Sequence, residues 1–228
     1  LGYLVINPTD NIERPKDDTV ERSIYTPQQV RIFLDATQSD RLAALWYLAI
    51  STGLRRAELA GLHWFDVDLS AQTPLLNVRI SRTTAGNRIV ESGPKTKSGK
   101  RTLVLDQGSV DILEDHRVRM EKESALRGEE SLPGYVFVDE FGAPFHPSRL
   151  TRMLHAIQRR VGLPEITLHD LRHTSATVAL LAGVHPKVVS ERHGHASVQI
   201  TLDRYSHVLE SMQISAAESI GRFLEPKE

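Results

Sequence analysis

At 228 residues, 40% of them hydrophobic, the chain is long enough to bury one sizeable core. It contains no cysteine, which excludes disulfides, thiolate chemistry and cysteine-built zinc sites. With 28 Lys and Arg against 29 Asp and Glu, it does not grip an acidic partner by bulk basicity.

The longest apolar stretch, residues 42–50, is too short to span a bilayer. No basic start followed by an apolar run marks a signal peptide. A soluble, cytoplasmic protein is expected.

In chain order, residues 1–22 carry Asn7-Pro8, Pro15 and Asp17-Asp18 without periodicity, and read as a linker from something upstream. Thr26-Pro27 opens a helix, Thr as N-cap and Pro at the first position, with Val30, Phe33 and Leu34 as its apolar stripe. Asp40 is expected to cap a second helix through Leu42, Leu45, Trp46 and Ala49, which Gly53 stops or bends, and residues 55–62 resume it. Leu76, Val78 and Ile80 then alternate with polar residues, predicting a strand. Ala85-Gly86-Asn87 turns, residues 88–95 return, Ser98-Gly99 turns again, and residues 101–105 make a third strand. Helices follow over residues 108–127, 147–161, from about 167, after Pro186, and over 208–223. The class is mainly α with a small three-stranded antiparallel sheet.

Charge is segregated along this order. Residues 79–101 hold Arg79, Arg82, Arg88, Lys95, Lys97, Lys100 and Arg101 against Glu91 alone, while residues 106–130 are acid-rich. That arrangement fits a positive face for phosphates on a neutral molecule, or a solvated hairpin edge guarded by lysines.

Taken singly, the local motifs say little. Arg55 and Glu58 after Thr52-Gly53-Leu54 form an ordinary i,i+3 ion pair on a helix. His169 and Arg172 share a helix face. His169 and His173 have the i,i+4 spacing of a zinc hydrolase, but Asp170 stands where its glutamate is needed, and no third ligand has a recognised spacing. Gly93 and Gly99 are one residue too far apart for a phosphate-binding loop, and Arg101 occupies its Ser/Thr position.

In combination they become specific. Thr52-Gly53-Leu54-Arg55, a basic hairpin, Leu168-His169-Asp170-Leu171-Arg172-His173-Thr174, His193-Gly194-His195-Ala196-Ser197, and Tyr205 ten residues beyond His195 come in one order. This series resembles the catalytic domain of tyrosine recombinases of the phage-integrase family, over residues 25–224.

The resemblance implies that fold for residues 23–228, the DNA breaking-and-rejoining enzyme fold. It also implies site-specific recombination, the integration or excision of a phage or mobile element, without metal or cofactor. Arg55 and Arg172 would clamp the scissile phosphate, with His195 donating a further hydrogen bond. His169 would accept the proton of the attacking phenol, and Tyr205 would form a 3′-phosphotyrosyl link and release a 5′-hydroxyl. Guanidinium forks suit this task because they match phosphate geometry and stay charged. Lys95, Lys97 and Lys100 compete as donor to the leaving oxygen; the family pattern of a lysine just before the hairpin turn selects Lys97. Glu58 would support the arginines. Arg79, Arg82, Arg88, Lys95, Lys100 and Arg101 are the expected DNA contacts.

Double-stranded attachment-site DNA is the expected partner, with four copies on two duplexes at full length and a monomer for the isolated piece. Residues 208–223, apolar at Val208, Met212, Ile214, Ile220, Phe223 and Leu224, are expected to dock on a neighbouring copy or to pack on their own domain. Two departures from the family stand out: His193 replaces an apolar residue, and the N-terminal DNA-clasping domain is represented only by the expected linker. The rival readings are a topoisomerase-like relaxing enzyme, a DNA-binding protein without chemistry, and a metal-dependent hydrolase.

Overall fold

The computed structural model describes residues 23–86, 88–93, 99–206, 208 and 213–224. The expected linker, residues 1–22, lies outside them, as do Lys95, Lys97 and Met212.

Helix α1 (Pro27–Thr37) starts as the sequence dictates. The Thr26 hydroxyl accepts from Gln29 N–H at 3.2 Å, and the Gln29 side chain accepts from Thr26 N–H at 2.9 Å. Helix α2 (Ala43–Ser51) is apolar nearly all round and is the central buried helix. Its N-cap is Leu42, not Asp40; the Asp40 carboxylate pairs with Arg160 at 3.2 Å instead. Helix α1, α4 (Gln107–Leu126) and α6 (Leu168–Leu181) pack on α2 around one core that includes Phe33, Leu45, Trp46, Leu113 and Leu171.

The sheet forms, but from a different set of strands. β1 (Val67–Asp68), β2 (Leu75–Val78) and β5 (Arg101–Val104) make the three-stranded antiparallel sheet, with Leu76 opposite Leu103. The turn at Gly86 joins a separate hairpin, β3 (Ser81–Ala85) with β4 (Arg88–Ser92). The apolar alternation expected to run on to Ile80 leaves the sheet after Val78, because the start of β3 lies against helix α3 (Arg56–Ala60). A Cβ on Gly61 would come within 2.9 Å of Arg82 N and 3.2 Å of Ile80 O.

Helix α5 (Pro147–Val161) and α7 (Pro186–His193) follow the expected punctuation, each opened by proline and closed by a left-handed glycine, Gly162 and Gly194. Helix α8 (Val198–Arg204) was not expected from periodicity. The last helix, α9 (Gln213–Leu224), exposes Ile220 and Leu224, whereas Val208 is buried with Tyr205 in a small second cluster. Among the described residues, no helix is long and apolar enough to cross a membrane.

Candidate active site

Four segments far apart in sequence meet at the C-terminal end of α7. The last carbonyls of a helix lack partners within it and form its negative pole, and here three in a row each accept from a different arginine. Arg101 Nε donates to Arg192 O at 2.6 Å, Arg172 Nη2 to His193 O, and Arg55 Nη2 to Gly194 O at 3.0 Å. Arg172 also donates through Nη1 to Gly53 O at 2.6 Å.

One carboxylate ties the group together. Glu58 accepts from Arg55 Nη1 at 2.8 Å, from Arg101 Nη1 and Nη2 at 3.0 and 2.9 Å, and from the Arg55 backbone N–H at 2.8 Å. Burial raises a carboxyl's pKa, but the hydrogen bonds and charges of Arg101 and Arg55 outweigh it and hold Glu58 at about 2. Arg172 is pushed down to about 9 by burial and then by Arg55 and Arg101, so it is still a cation at neutral pH. Arg55 is the accessible member, its side chain 41% exposed.

The histidines divide into different environments. His195 Nδ1 lies 2.8 Å from the buried Thr201 hydroxyl. Burial, then Arg172, Arg55, Arg204 and Arg101, lower His195 to about 4, so its ring is neutral at pH 7. His193 is buried directly over Gly53: Nδ1 faces Val189 O at 3.0 Å, and a Cβ on Gly53 would fall 2.3 Å from Nε2, which has no hydrogen-bond partner among the described residues. The His193 ring therefore fills a slot between two segments that both hold Arg172.

Tyr205 is 3% exposed and packs with Ala176, Leu180, Val189 and Val208. Burial pushes its phenol up to about 12 against the pull of Arg172 and Arg204. The ring that meets the phenol is His173, with Nδ1 2.7 Å from Tyr205 Oη. His169, the expected proton acceptor, stands edge-on to His173 with ring centroids 4.6 Å apart.

The expected DNA contacts separate in a similar way. Arg101 is turned inward and 7% exposed, sharing Glu58. Arg82 is held by Glu91 and by Phe145 O, and Arg79 pairs with Asp66 at 3.2 Å. Arg88 and Lys100 are exposed. Sequence reasoning missed His173, Thr201 and the inward role of Arg101. The i,i+4 spacing of His169 and His173 was a usable signal for the first; nothing local marked the others. Among the described residues, no three His, Asp or Glu side chains are grouped as metal ligands.

Residues 23–212 match the Phage integrase family. A tyrosine recombinase XerC-like protein of Caldanaerobacter subterraneus subsp. tengcongensis is 33% identical over 96% of this chain and 61% of its own length. The ICEBs1 integrase of Bacillus subtilis is 26% identical over 96% of this chain and 59% of its own. The chain thus spans about three fifths of these curated relatives. Among solved structures, the Tn1549 transposon integrase in complex with transposon right end DNA superposes with a TM-score of 0.72 at 24% identity, over 92% of this chain and 68% of that one. XerA recombinase gives 0.61 at 26% identity, over 90% and 66%.

Proposed function

Since the chain belongs to the phage integrase family, we propose that it carries out site-specific DNA recombination, cutting and rejoining strands through a covalent 3′-phosphotyrosyl link to Tyr205. The observation that carries this reading is the convergence of Arg55, Arg101 and Arg172 on three successive carbonyls at the end of α7, with Arg55 and Arg101 also sharing Glu58, beside Tyr205. Such a cluster is preorganised for an anion whose charge grows in the transition state.

In this reading Arg55 and Arg172 hold the non-bridging oxygens of the scissile phosphate. A guanidinium carries more N–H groups than the two that Arg172 commits to Gly53 and His193. His195 is neutral, and with Thr201 donating to Nδ1 its Nε2–H is the third donor. Arg101 and Glu58 keep these groups in place. The phenol proton passes to the pair His169 and His173, and Lys97, outside the described residues, supplies the proton to the 5′ oxygen. The bond energy stays in the phosphotyrosyl link, so rejoining needs no nucleotide cofactor.

The substrate is double-stranded attachment-site DNA of a phage or mobile element, exchanged by four copies on two duplexes. The exposed Ile220 and Leu224 of α9 suit docking on a neighbouring copy. Deleting the residues after 209 and weighing the DNA-bound assembly tests that; an unchanged assembly refutes it.

The catalytic reading is tested with a nicked duplex carrying the attachment site, incubated in chelator and run on a denaturing gel. A protein–DNA adduct that is absent in Tyr205→Phe is expected. No adduct from protein demonstrably bound to the DNA overturns the reading.

A further inference from the structure

The family resemblance assigns the phenol proton to His169, but the geometry is different. We propose that His173 is a catalytic residue of this enzyme, the direct acceptor of the Tyr205 proton, with His169 supporting it from behind; this rests on Tyr205 being the nucleophile.

A general base must lie within hydrogen-bond reach of the proton it removes. His173 Nδ1 is 2.7 Å from Tyr205 Oη, and both residues are buried. The alternatives near the site are otherwise engaged. His195 turns its Nδ1 to Thr201, Glu58 is enclosed by Arg55 and Arg101, and His169 meets the His173 ring edge to face. A phenol kept protonated by burial needs such a partner before it can attack.

Position on the helix adds a second argument. His173 directly follows Arg172 on α6, so the ring that takes the proton and the guanidinium that grips the phosphate keep a fixed spacing. The negative phosphate at the arginines then offsets the positive charge His173 acquires.

The phenol O–H bond breaks and its proton goes to Nδ1, giving an imidazolium. The phenolic oxygen bonds to phosphorus as the bond from phosphorus to the 5′ oxygen breaks. That oxygen leaves with a proton from an ammonium side chain, the role expected of Lys97. Rejoining reverses each transfer, and His173 returns its proton to the phenol.

The test measures adduct formation on the nicked duplex with the whole chain. His173→Gln, checked for unchanged melting and DNA retention, is expected to slow it about 100-fold or more. In His173→Ala, added imidazoles are expected to restore the rate in order of their basicity. A His173→Gln rate within about threefold of wild type, or rescue indifferent to basicity, overturns the proposal. The unmodified protein gives a second readout that no folding defect can obscure. In ¹⁵N-histidine NMR, Nδ1 of His173 is expected as an unprotonated ring nitrogen whose shift moves in Tyr205→Phe. A protonated Nδ1 overturns the assignment. If wild type forms no adduct, or Tyr205→Phe still forms one, the nucleophile reading fails, and the NMR result separates that failure from one at His173.

Discussion

Arg101 and Glu58 meet through both carboxylate oxygens, at 3.0 and 2.9 Å, and neither side chain is more than 7% exposed. The pair stands between the sheet, which supplies Arg101 from β5, and α3, which supplies Glu58. Arg101 also reaches Arg192 O on α7, so one ion pair connects three elements around the site. Removing one partner of a buried pair leaves an uncompensated charge. Glu58→Gln is therefore expected to cost about 3–5 kcal/mol in urea unfolding, with Glu58→Asp less damaging. A loss below about 1 kcal/mol contradicts a supporting role for Glu58.

The basic residues of the 79–101 segment should separate by measurement. Arg88→Ala and Lys100→Ala, at exposed positions, are each expected to reduce the salt slope of DNA binding by about one without changing stability. Arg101→Ala is expected to lower stability first. Anisotropy titrations across a salt series, paired with thermal melts, distinguish the two behaviours.

Burial first, and then the charges of Arg55 and Arg101, disfavour the cationic form of Arg172, so an anion bound at the arginine cluster is stabilising. Sulfate or phosphate is expected to raise the melting temperature more than chloride at matched ionic strength. The effect is about 2.7 kcal/mol when the anion stands 100-fold above its dissociation constant. Arg55→Ala should abolish the difference between anions. An equal shift in that variant places the binding elsewhere.

Acid stability follows from the buried histidines. In the unfolded chain these rings take up protons near pH 6.5. In the folded protein burial disfavours the proton at His116 and His193, and His195 accepts it only at about pH 4. The unfolded state then binds more protons, so stability falls as pH drops from about 6.5 toward 4. Glu58, with a normal value of 4.5 lowered to about 2, keeps its stabilising contribution above about 4.5 and loses it only as pH falls from there toward 2. Melts at pH 7.5, 6.5 and 5.5 are expected to show the decline, and His193→Leu should flatten it. A level profile contradicts the assignment of neutral buried rings.

Gly53 and His193 should couple. Gly53 has φ of 63°, and a Cβ there would fall 2.3 Å from His193 Nε2. The left-handed conformation alone costs Ala about 1–2 kcal/mol, and the clash adds to it. In a double-mutant cycle, Gly53→Ala is expected to be at least about 1 kcal/mol less damaging in His193→Ala than in wild type. Additive effects contradict the packing described.

What was legible in the sequence was local or repeated along the chain. The capping box at Thr26 and Gln29, the prolines opening α5 and α7, and the glycines closing them carry their own geometry. So does the apolar run of α2. The order of Arg55, His169, Arg172, His195 and Tyr205 carried the family. The sheet's partners were not legible, because β2 pairs with β5 across more than twenty intervening residues, and alternation says nothing about which strand lies alongside. Arg101 read as surface charge because its partner, Glu58, is 43 residues away. In the sequence His173 offers only a metal-ligand spacing with His169, since nothing before folding brings Tyr205, 32 residues on, to its Nδ1.

The most direct test of the central claim is identification of the residue that holds the DNA. The adduct formed in chelator is digested with nuclease and then trypsin, which cuts after Arg204 and Arg222 to release residues 205–222. Tandem mass spectrometry is expected to find that peptide carrying a nucleotide 3′-phosphate on its first residue, Tyr205. The modification on another residue, or only unmodified 205–222 peptide from a verified adduct, would contradict the account.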